Sequence, residues 1–270
     1  YINDAGNQMD KLAISVNARY LELLGQKIDF PEDGYQGADI IDTTRRIIAR
    51  HGDKYLDLPE DERLKILGEL AYADKMLELR DDLERFRVHF DVWFSERTLH
   101  PDKINAAIEI LKANGGIYEK DGALWLASTK YGDDKDRVVV RANGEATYLA
   151  ADIAYHRNKF ERGFGELINL WGADHHGYVA RVKAAMKMLG YDADKLKIIF
   201  LQMVSLFRSG EAVKMSKRMG TAIPLRELME EVGTDAARYF FLMRSTDSQL
   251  DFDLDLAKSQ SADNPVYYIQ

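Results

Sequence analysis

Leu167-Ile168-Asn169-Leu170-Trp171 is a short apolar run of the kind that forms a buried strand, and it opens the stretch that decides the fold. The turn Gly172-Ala173-Asp174-His175-His176-Gly177 follows it, and apolar residues then recur at helical spacing up to Leu189. Residues 196–206 are predicted to form the next strand. A strand, a helix and a strand in close succession are typical of a parallel βαβ unit. We therefore predict an α/β fold whose ligands bind beyond the carboxyl ends of these strands.

Composition and charge narrow the class of protein. The chain has 270 residues, of which 46% are hydrophobic and 30% charged, a balance typical of globular proteins. Its apolar runs are too short to cross a membrane. The absence of cysteine excludes disulfides and thiolate chemistry, and it is compatible with the cytoplasm. The net charge of −8 means that nucleic acid would need a local basic face. Neither end resembles a natural terminus, so we expect an excised piece.

The residues before this stretch are predicted to be mostly helical, with two hairpins at the end. Apolar spacing and end signals predict helices at Gln8–Leu24, with Gly25 closing the first, at Ala38–His51 and at Glu60–Phe94, with Pro59 in the first turn. Hairpins are predicted at Tyr118–Ser128 and Arg137–Tyr148. We interpret the charged residues of the helices as solvated faces rather than as a binding stripe.

The turn at 172–177 has the residue types of a nucleotide site. Its two glycines let the backbone approach a ligand, and the Asp174 carboxylate suits a ribose diol. Two other interpretations stay open at this point. Asp174, His175 and His176, with His156, are also possible metal ligands of a metal-dependent hydrolase. Alternatively, Asp174 only caps the next helix and the histidines are structural.

A second loop carries the tetrapeptide Lys214-Met215-Ser216-Lys217. A loop with this charge could fold over a triphosphate, and its ammonium groups would stabilise a departing pyrophosphate. It is not a Walker A loop, because no glycine stands at the required spacing. An isolated basic tetrapeptide is usually a solvated turn. Its position after a strand that itself follows Gly-Ala-Asp-His-His favours the phosphate-binding interpretation.

Together the two motifs resemble class I aminoacyl-tRNA synthetases, whose second signature is Lys-Met-Ser-Lys. The wider sequence resembles the bacterial arginyl-tRNA synthetases over nearly the whole chain. This likeness rests on the opening eight residues and on four further segments: 147–156, 171–178, 251–255 and 264–268. The resemblance implies the second half of a Rossmann-like catalytic domain with a largely helical insertion.

The family's roles transfer to individual positions of this sequence. The resemblance implies that Lys214 and Lys217 are catalytic, and that Tyr148 and Asp152 recognise arginine, with His175 as a less secure contact. Tyr148 and Asp152 stand four residues apart at a predicted helix start, so they share a face. The implied ATP-binding residues are Gly172, Asp174, His176, Met203, Val204, Met215 and Ser216.

The resemblance also implies domains and partners. The implied parts are the end of the first Rossmann half at 1–8, the insertion at 9–127, the second half at 128–252 and the start of a helical anticodon-binding domain at 253–270. The expected substrates are ATP with Mg²⁺, L-arginine and tRNA(Arg). We expect no membrane contact, no tightly bound metal, a cytoplasmic location and a monomeric complete enzyme.

One departure from the family pattern stands out. The family's first signature, His-x-Gly-His, does not occur among the six histidines. Half of the ATP site is therefore missing, and we expect the chain to be inactive alone. A non-catalytic module that binds arginine or a nucleotide remains the alternative to an arginine–tRNA ligase.

Overall fold

The computed structural model describes residues 1–213 and 223–269. Lys214, Met215, Ser216 and Lys217 lie outside the described residues. The helices are α1 (Asn7–Leu23), α2 (Ala38–His51), α3 (Glu60–Arg85), α4 (Asp102–Ala113), α5 (Tyr148–Glu161), α6 (Val179–Met188), α7 (Leu225–Val232), α8 (Thr234–Leu242), α9 (Leu254–Lys258) and α10 (Pro265–Ile269). The strands are β1 (Ile117–Lys120), β2 (Ala123–Leu126), β3 (Arg137–Val140), β4 (Leu167–Gly172), β5 (Leu196–Leu201), β6 (Val204–Arg208), β7 (Glu211–Ala212) and β8 (Leu250–Asp253).

The chain forms two compact units. The first, which we call unit 1, consists of Tyr1–Ile2, Phe94–Met203 and Ser245–Leu250. Unit 2 contains the rest of the described chain, beginning with Asn3–Trp93 and continuing with Val204–Arg244. The domain boundaries implied by the resemblance stay a prediction.

Unit 1 contains the predicted βαβ element. β4 and β5 pair in parallel, with Leu167 opposite Leu196 and Gly172 opposite Leu201. The connection between them contains α6, whose buried side Val182, Ala185 and Met186 joins the core. A second sheet, in the order β1-β2-β3, is antiparallel. The prediction of a parallel unit from residues 167–201 is confirmed.

The core of unit 1 is apolar and mixes both element types. α4 contributes Ile104 and Leu111, α5 contributes Ile153, and the strands contribute Leu126 and Leu196, all at most 1% exposed. Burial of one leucine or isoleucine side chain stabilises by about 1.5–3 kcal/mol. This packing fixes α5 against the βαβ element, which matters because α5 carries the candidate arginine residues.

Unit 2 is mainly helical. α1, α2 and α3 pack around a core that includes Val16, Tyr20, Ile47 and Leu67. The strands β6 and β7 and residues 251–253 of β8, which form a small sheet in the order β7-β6-β8, belong to the same unit. The prediction of helices at Gln8–Leu24 and Ala38–His51 is confirmed to within a residue.

The helix predicted at Glu60–Phe94 is too long, because α3 ends at Arg85. Arg87 has a left-handed φ of 60°, and Val88 N–H donates to Leu83 O at 2.8 Å, the reversal that closes many helices. Glycine usually stands at that position, and the arginine there gives no sequence signal. Pro59 precedes the helix as its N-cap rather than lying in the first turn.

Two strand predictions need correction. The single strand predicted at Leu196–Leu206 is two strands, β5 and β6, separated by Gln202 and Met203. Gln202 N–H donates to Thr246 O at 3.0 Å instead of continuing the β4–β5 pairing. The hairpin predicted at Arg137–Tyr148 keeps its turn, but the returning segment forms only one bridge, between Ala146 and Val140. The hairpin β1–β2 is confirmed, with Asp121 and Gly122 both at positive φ.

Among residues 1–213 and 223–269, no helix is both long enough and apolar enough to cross a bilayer.

Candidate arginine and adenylate site

One face of helix α5 contributes four side chains to the candidate site. Thr147, just before the helix, is tied to β3, because its N–H donates to Val139 O at 2.9 Å. Six of the fourteen helix residues are buried, and four of the others are spaced by about one turn, so they share a face. This face carries Tyr148, Asp152, Tyr155 and Lys159. Tyr148 is 72% exposed, whereas Asp152 is partly buried.

The Asp152 carboxylate is held by a phenol. Tyr178, which follows the turn after β4, donates its hydroxyl to Asp152 Oδ2 at 2.8 Å. Within residues 1–213 and 223–269, no lysine, arginine or histidine forms an ion pair with Asp152. A partly buried carboxylate whose hydrogen-bond partner is neutral is suited to receive a cation.

A second carboxylate, Glu96, belongs to the same site. It is 7% exposed and opens a short 3₁₀ turn, Glu96–Leu99. Burial and the neighbouring Glu96 raise the pKa of the Tyr1 hydroxyl, and Glu96 N–H donates to Ile2 O at 3.1 Å. His100 Nε2 lies 3.3 Å from Glu96 Oε1. The charge of Glu96 raises the pKa of Asp152, so two acidic groups from distant parts of the chain act on each other.

Electrostatics in this site follow from burial and like charge. Burial raises the pKa of Asp152, and the charge of Glu96 raises it further, while the hydrogen bond from Tyr178 and the charges of Lys159 and His175 oppose the shift. Burial also raises the pKa of Tyr178, as does its neighbour Asp152. The site therefore favours a bound cation, which would remove the cost of two neighbouring negative charges.

Aromatic rings form two groups among the residues of this site. Tyr155 packs against Tyr1, with 4.4 Å between the ring centroids, and against Phe94 at 4.9 Å. In the second group, the Trp171 ring lies 5.9 Å from the Tyr178 ring and 6.2 Å from the His175 ring. Flat rings of this kind can pack against the aliphatic and guanidinium parts of an arginine side chain.

The turn after β4 presents Asp174 to solvent. A side chain on Gly172 would place its Cβ 2.6 Å from Asp174 Oδ1, so glycine is required for this arrangement. The Asp174 side chain is 82% exposed, and His175 Nε2 lies 3.7 Å from its Oδ2. The interpretation of Asp174 as a helix cap is wrong, because neither the 3₁₀ turn nor α6 has a side-chain cap. Its carboxylate is free to meet a ligand.

The histidines are not arranged as metal ligands. In the described chain, no three His, Asp or Glu side chains lie close enough together to hold a metal ion. His156 is almost fully buried, with Nδ1 2.7 Å from Asp152 O and Nε2 2.7 Å from Asn169 Nδ2. Burial lowers its pKa to about 3, so it is neutral. His176 stacks on Phe200, with 3.6 Å between ring centroids. The structure therefore gives no support to the metal-dependent hydrolase.

The remaining sequence candidates lie elsewhere. Met203 is 78% exposed at the end of a unit 1 segment, and Val204 begins β6 in unit 2. Lys214, Met215, Ser216 and Lys217 are outside the described residues. The assigned roles of all these residues stay predictions.

Sequence reasoning missed Glu96 and Tyr178. Glu96 stands just after the segment predicted as a long helix, and 56 residues before Asp152 along the chain. Tyr178 was part of the motif at 171–178, but an aromatic residue next to a helix start is usually core. Only the tertiary structure places both beside Asp152.

A parallel strand–helix–strand unit whose first strand leads into Gly-Ala-Asp-His-His, with Lys-Met-Ser-Lys after the second strand in the sequence, has the pattern of a class I aminoacyl-tRNA synthetase. Comparison with family models agrees, since residues 2–252 match "tRNA synthetases class I (R), catalytic domain". The chain belongs to this family, the arginyl class I tRNA synthetases.

The curated relatives that the chain matches are named arginine–tRNA ligases. The chain is 59% identical over 271 aligned residues to the arginine–tRNA ligase of Carboxydothermus hydrogenoformans, covering 100% of the chain and 49% of the relative. Identity to that of Desulfitobacterium hafniense is 57%, with 100% of the chain and 48% of the relative covered. The chain thus spans about half the length of the curated relatives it matches.

Solved structures give the same fold. A Campylobacter jejuni protein described as an arginyl-tRNA synthetase superposes with a TM-score of 0.91 at 41% identity, covering 100% of this chain and 59% of that one. The Thermus thermophilus arginyl-tRNA synthetase superposes with a TM-score of 0.68 at 19% identity, covering 99% of this chain and 55% of that one. The fold expected from the sequence, a class I synthetase catalytic domain, is confirmed.

Proposed function

We propose that this chain supplies the arginine-binding and adenylate-binding part of an arginine–tRNA ligase. The observation that carries the proposal is the convergence of Glu96 and Asp152, two carboxylates with aromatic neighbours and with no cation paired to Asp152 among the described residues. A guanidinium offers five N–H donors in a planar fork, which matches two carboxylates better than any other amino-acid side chain does.

The reaction would proceed in two steps. An oxygen of the arginine carboxylate attacks the α-phosphorus of ATP, the bond to the bridging oxygen breaks, and pyrophosphate departs. The terminal ribose hydroxyl of tRNA(Arg) then attacks the acyl carbon, and AMP leaves. No side-chain nucleophile is required in either step, so the protein acts by positioning and by charge.

Each candidate residue has a role in this proposal. Tyr148, Asp152 and His175 would bind arginine, and Glu96 joins them on structural grounds. Gly172, Asp174 and His176 would contact the ribose side of ATP, and the backbone of Met203 and Val204 the adenine. Lys214 and Lys217, with Met215 and Ser216 between them, would stabilise the charge on the departing pyrophosphate.

Mg²⁺ is expected to arrive with ATP. The described residues offer no group of three acidic or histidine side chains that fits a protein-held metal ion. A cytoplasmic location and a monomeric enzyme are further parts of the proposal, and both follow from the family resemblance.

Charging of tRNA tests the proposal. The assay uses the extended chain, meaning this sequence together with whatever its gene encodes on either side, and compares all twenty amino acids on bulk tRNA. We expect charging with arginine alone. This chain by itself should charge poorly, since the first signature is not part of it. An extended chain that folds and binds arginine but charges nothing would instead indicate a binding module.

A further inference from the structure

Lys159 shares the site face of α5 with Asp152. The two residues are seven positions apart, or two helical turns, and Tyr155 lies between them on the same face. The Lys159 ammonium lies 4.7 Å from the centre of the Tyr155 ring. Its charge acts on the Asp152 carboxylate without pairing with it. A cation fixed near a site that is to receive a cation needs an explanation, since like charges repel.

A hydrogen-bonded chain of buried groups holds this ammonium. Lys159 Nζ donates to Asn169 Oδ1, and Asn169 Nδ2 donates to His156 Nε2 at 2.7 Å. His156 Nδ1–H then donates to the backbone oxygen of Asp152 at 2.7 Å. The orientation of each group in this series is fixed by the group to which it is hydrogen-bonded, starting from the Asp152 carbonyl. The carbonyl fixes the imidazole tautomer, the bare Nε2 fixes the amide, and the amide oxygen is left for Lys159.

These hydrogen bonds connect helix α5 to strand β4. Asn169 lies on β4, 7% exposed, whereas His156, Lys159 and Asp152 lie on α5. An asparagine in an apolar strand is costly unless both ends of its amide are satisfied. Here both ends are used to place one lysine, which indicates that the position of this charge matters.

Titratable groups from several elements face the pair. Asp152 is faced by Glu96, by Tyr178 and His175 from the segment after β4, by the Tyr1 hydroxyl and by Lys159. Lys159 is faced by Asp152, by Arg162 at the end of α5 and by the amino group of Tyr1. Burial and the Arg162 charge lower the pKa of Lys159 to about 8. Lys159 is therefore charged at neutral pH and loses its proton within a range that can be measured.

We propose that Lys159 is a positioning residue of the arginine site: Asn169 and His156 hold its ammonium where its charge acts on the Asp152 carboxylate and keeps that carboxylate ready for a guanidinium. The inference rests on the proposed function. Two neighbouring carboxylates tend to share a proton, and a proton on either one competes with arginine. The lysine opposes this proton without occupying the place of the ligand.

Removal of the charge should change the pH dependence of arginine binding rather than binding at every pH. In the extended chain, the dissociation constant of arginine is measured by calorimetry from pH 5 to pH 9. Lys159→Met should move the acid limb, below which arginine binding weakens, up by about one pH unit. At the pH where the two proteins differ most, Lys159→Met should bind arginine about tenfold more weakly than the unaltered protein. The two curves should meet above about pH 8, where Lys159 loses its proton.

Three variants complete the test. Lys159→Arg keeps the charge and should return the acid limb to its original pH. Asn169→Asp keeps the volume but pairs Lys159 with a new carboxylate, so its limb should move up as well, and it serves if Lys159→Met does not fold. Lys187→Met removes an exposed lysine of α6 and should change nothing.

The outcomes separate this inference from the proposed function. If arginine does not bind to the unaltered extended chain, the proposed function fails. If arginine binds and the acid limb stays in place in Lys159→Met and Asn169→Asp, only the inference on Lys159 fails. Affinity lowered by the same factor at every pH would also overturn it, because that result indicates lost packing.

Discussion

Tyr178 and Asp152 are joined by one hydrogen bond of 2.8 Å between residues 26 positions apart, and this bond fixes the carboxylate that we assign to the guanidinium. The phenol occupies Oδ2, which leaves Oδ1 and the outer lone pair of Oδ2 for a ligand. Because Tyr178 directly precedes α6, the βαβ element positions the proposed arginine site and the proposed nucleotide turn together.

Removing this phenol should weaken arginine binding. Tyr178→Phe deletes the donor to a charged acceptor, a loss of about 1.5 kcal/mol, so the KM for arginine should rise about tenfold with a smaller change in kcat. Tyr118→Phe is a matched control, because Tyr118 donates to Asp136 at 2.9 Å in the same unit but far along the chain. An equal rise in both variants would contradict the assignment.

Glu96→Gln should act on pH dependence in the opposite direction to Lys159→Met. The charge of Glu96 raises the pKa of Asp152, so its removal should lower the pH at which arginine binding fails. Affinity at pH 7 should fall about tenfold or more, since one charged acceptor is lost. Calorimetry across pH 4.5–8 measures both effects. Glu109→Gln, which removes an exposed ion pair of α4, is the control. If the acid limb of arginine binding does not move in Glu96→Gln, Glu96 does not act together with Asp152.

His156 should make the chain acid-sensitive. Its pKa is lowered to about 3 in the folded chain, whereas the unfolded value is near 6.5. The unfolded state therefore binds more protons between these values, and stability falls as the pH falls below about 6.5, by up to about 1.4 kcal/mol per pH unit. The raised pKa of Asp152 has the opposite effect, because a group whose pKa is raised by folding makes the folded state less stable as the pH rises.

Urea unfolding at pH 7 and pH 5 checks this effect. His156→Gln should be less stable at pH 7, since buried hydrogen bonds are lost, but its stability should decline less between the two pH values. His89→Gln, at an exposed histidine, should retain the full decline. A decline of equal size in His156→Gln would show that another group is responsible.

Gly172→Ala should harm nucleotide binding more than stability. The new Cβ meets Asp174 Oδ1, the end of an exposed side chain, which can rotate away at little cost. The displaced carboxylate would lose its contact with ribose, so the KM for ATP should rise about tenfold while the free energy of unfolding changes by less than about 1 kcal/mol. Gly177→Ala, with no atom within 4 Å of its Cβ, should alter neither quantity.

Lys217→Ala should remove charge stabilisation from the activation step. We expect the rate of arginine activation in the extended chain to fall about a hundredfold, with a much smaller change in arginine affinity. Single-turnover measurement of pyrophosphate release checks this. A loss below threefold would remove Lys217 from the catalytic group.

The sequence predicts the parts of this site that depend on local spacing. The position of Asp152 in the first turns of α5 and the end of β4 at Gly172 follow from turn residues and periodicity. Gly25 likewise predicts the end of α1, where it adopts a φ of 88°. Arg87 makes the same reversal after α3 without glycine, so that helix end could not be foreseen.

Pairings across the fold could not be predicted in this way. Glu96 and Asp152 are brought together by tertiary packing, and the buried chain from Lys159 to His156 depends on Asn169 facing α5 from β4. Read alone, each of these residues resembles an ordinary surface or core residue. Periodicity reports which face of an element is buried but not which polar group stands opposite.

The most direct test of the account compares arginine with citrulline, its uncharged analogue of similar shape. Calorimetry on the extended chain should show arginine bound at least about a hundredfold more tightly, because a charge-assisted bidentate pair with Asp152 is lost in citrulline. Asp152→Asn should abolish most of this preference while leaving ATP affinity nearly unchanged. Equal affinity for both ligands in the unaltered protein, or a preference that survives Asp152→Asn, would contradict the assignment of the site.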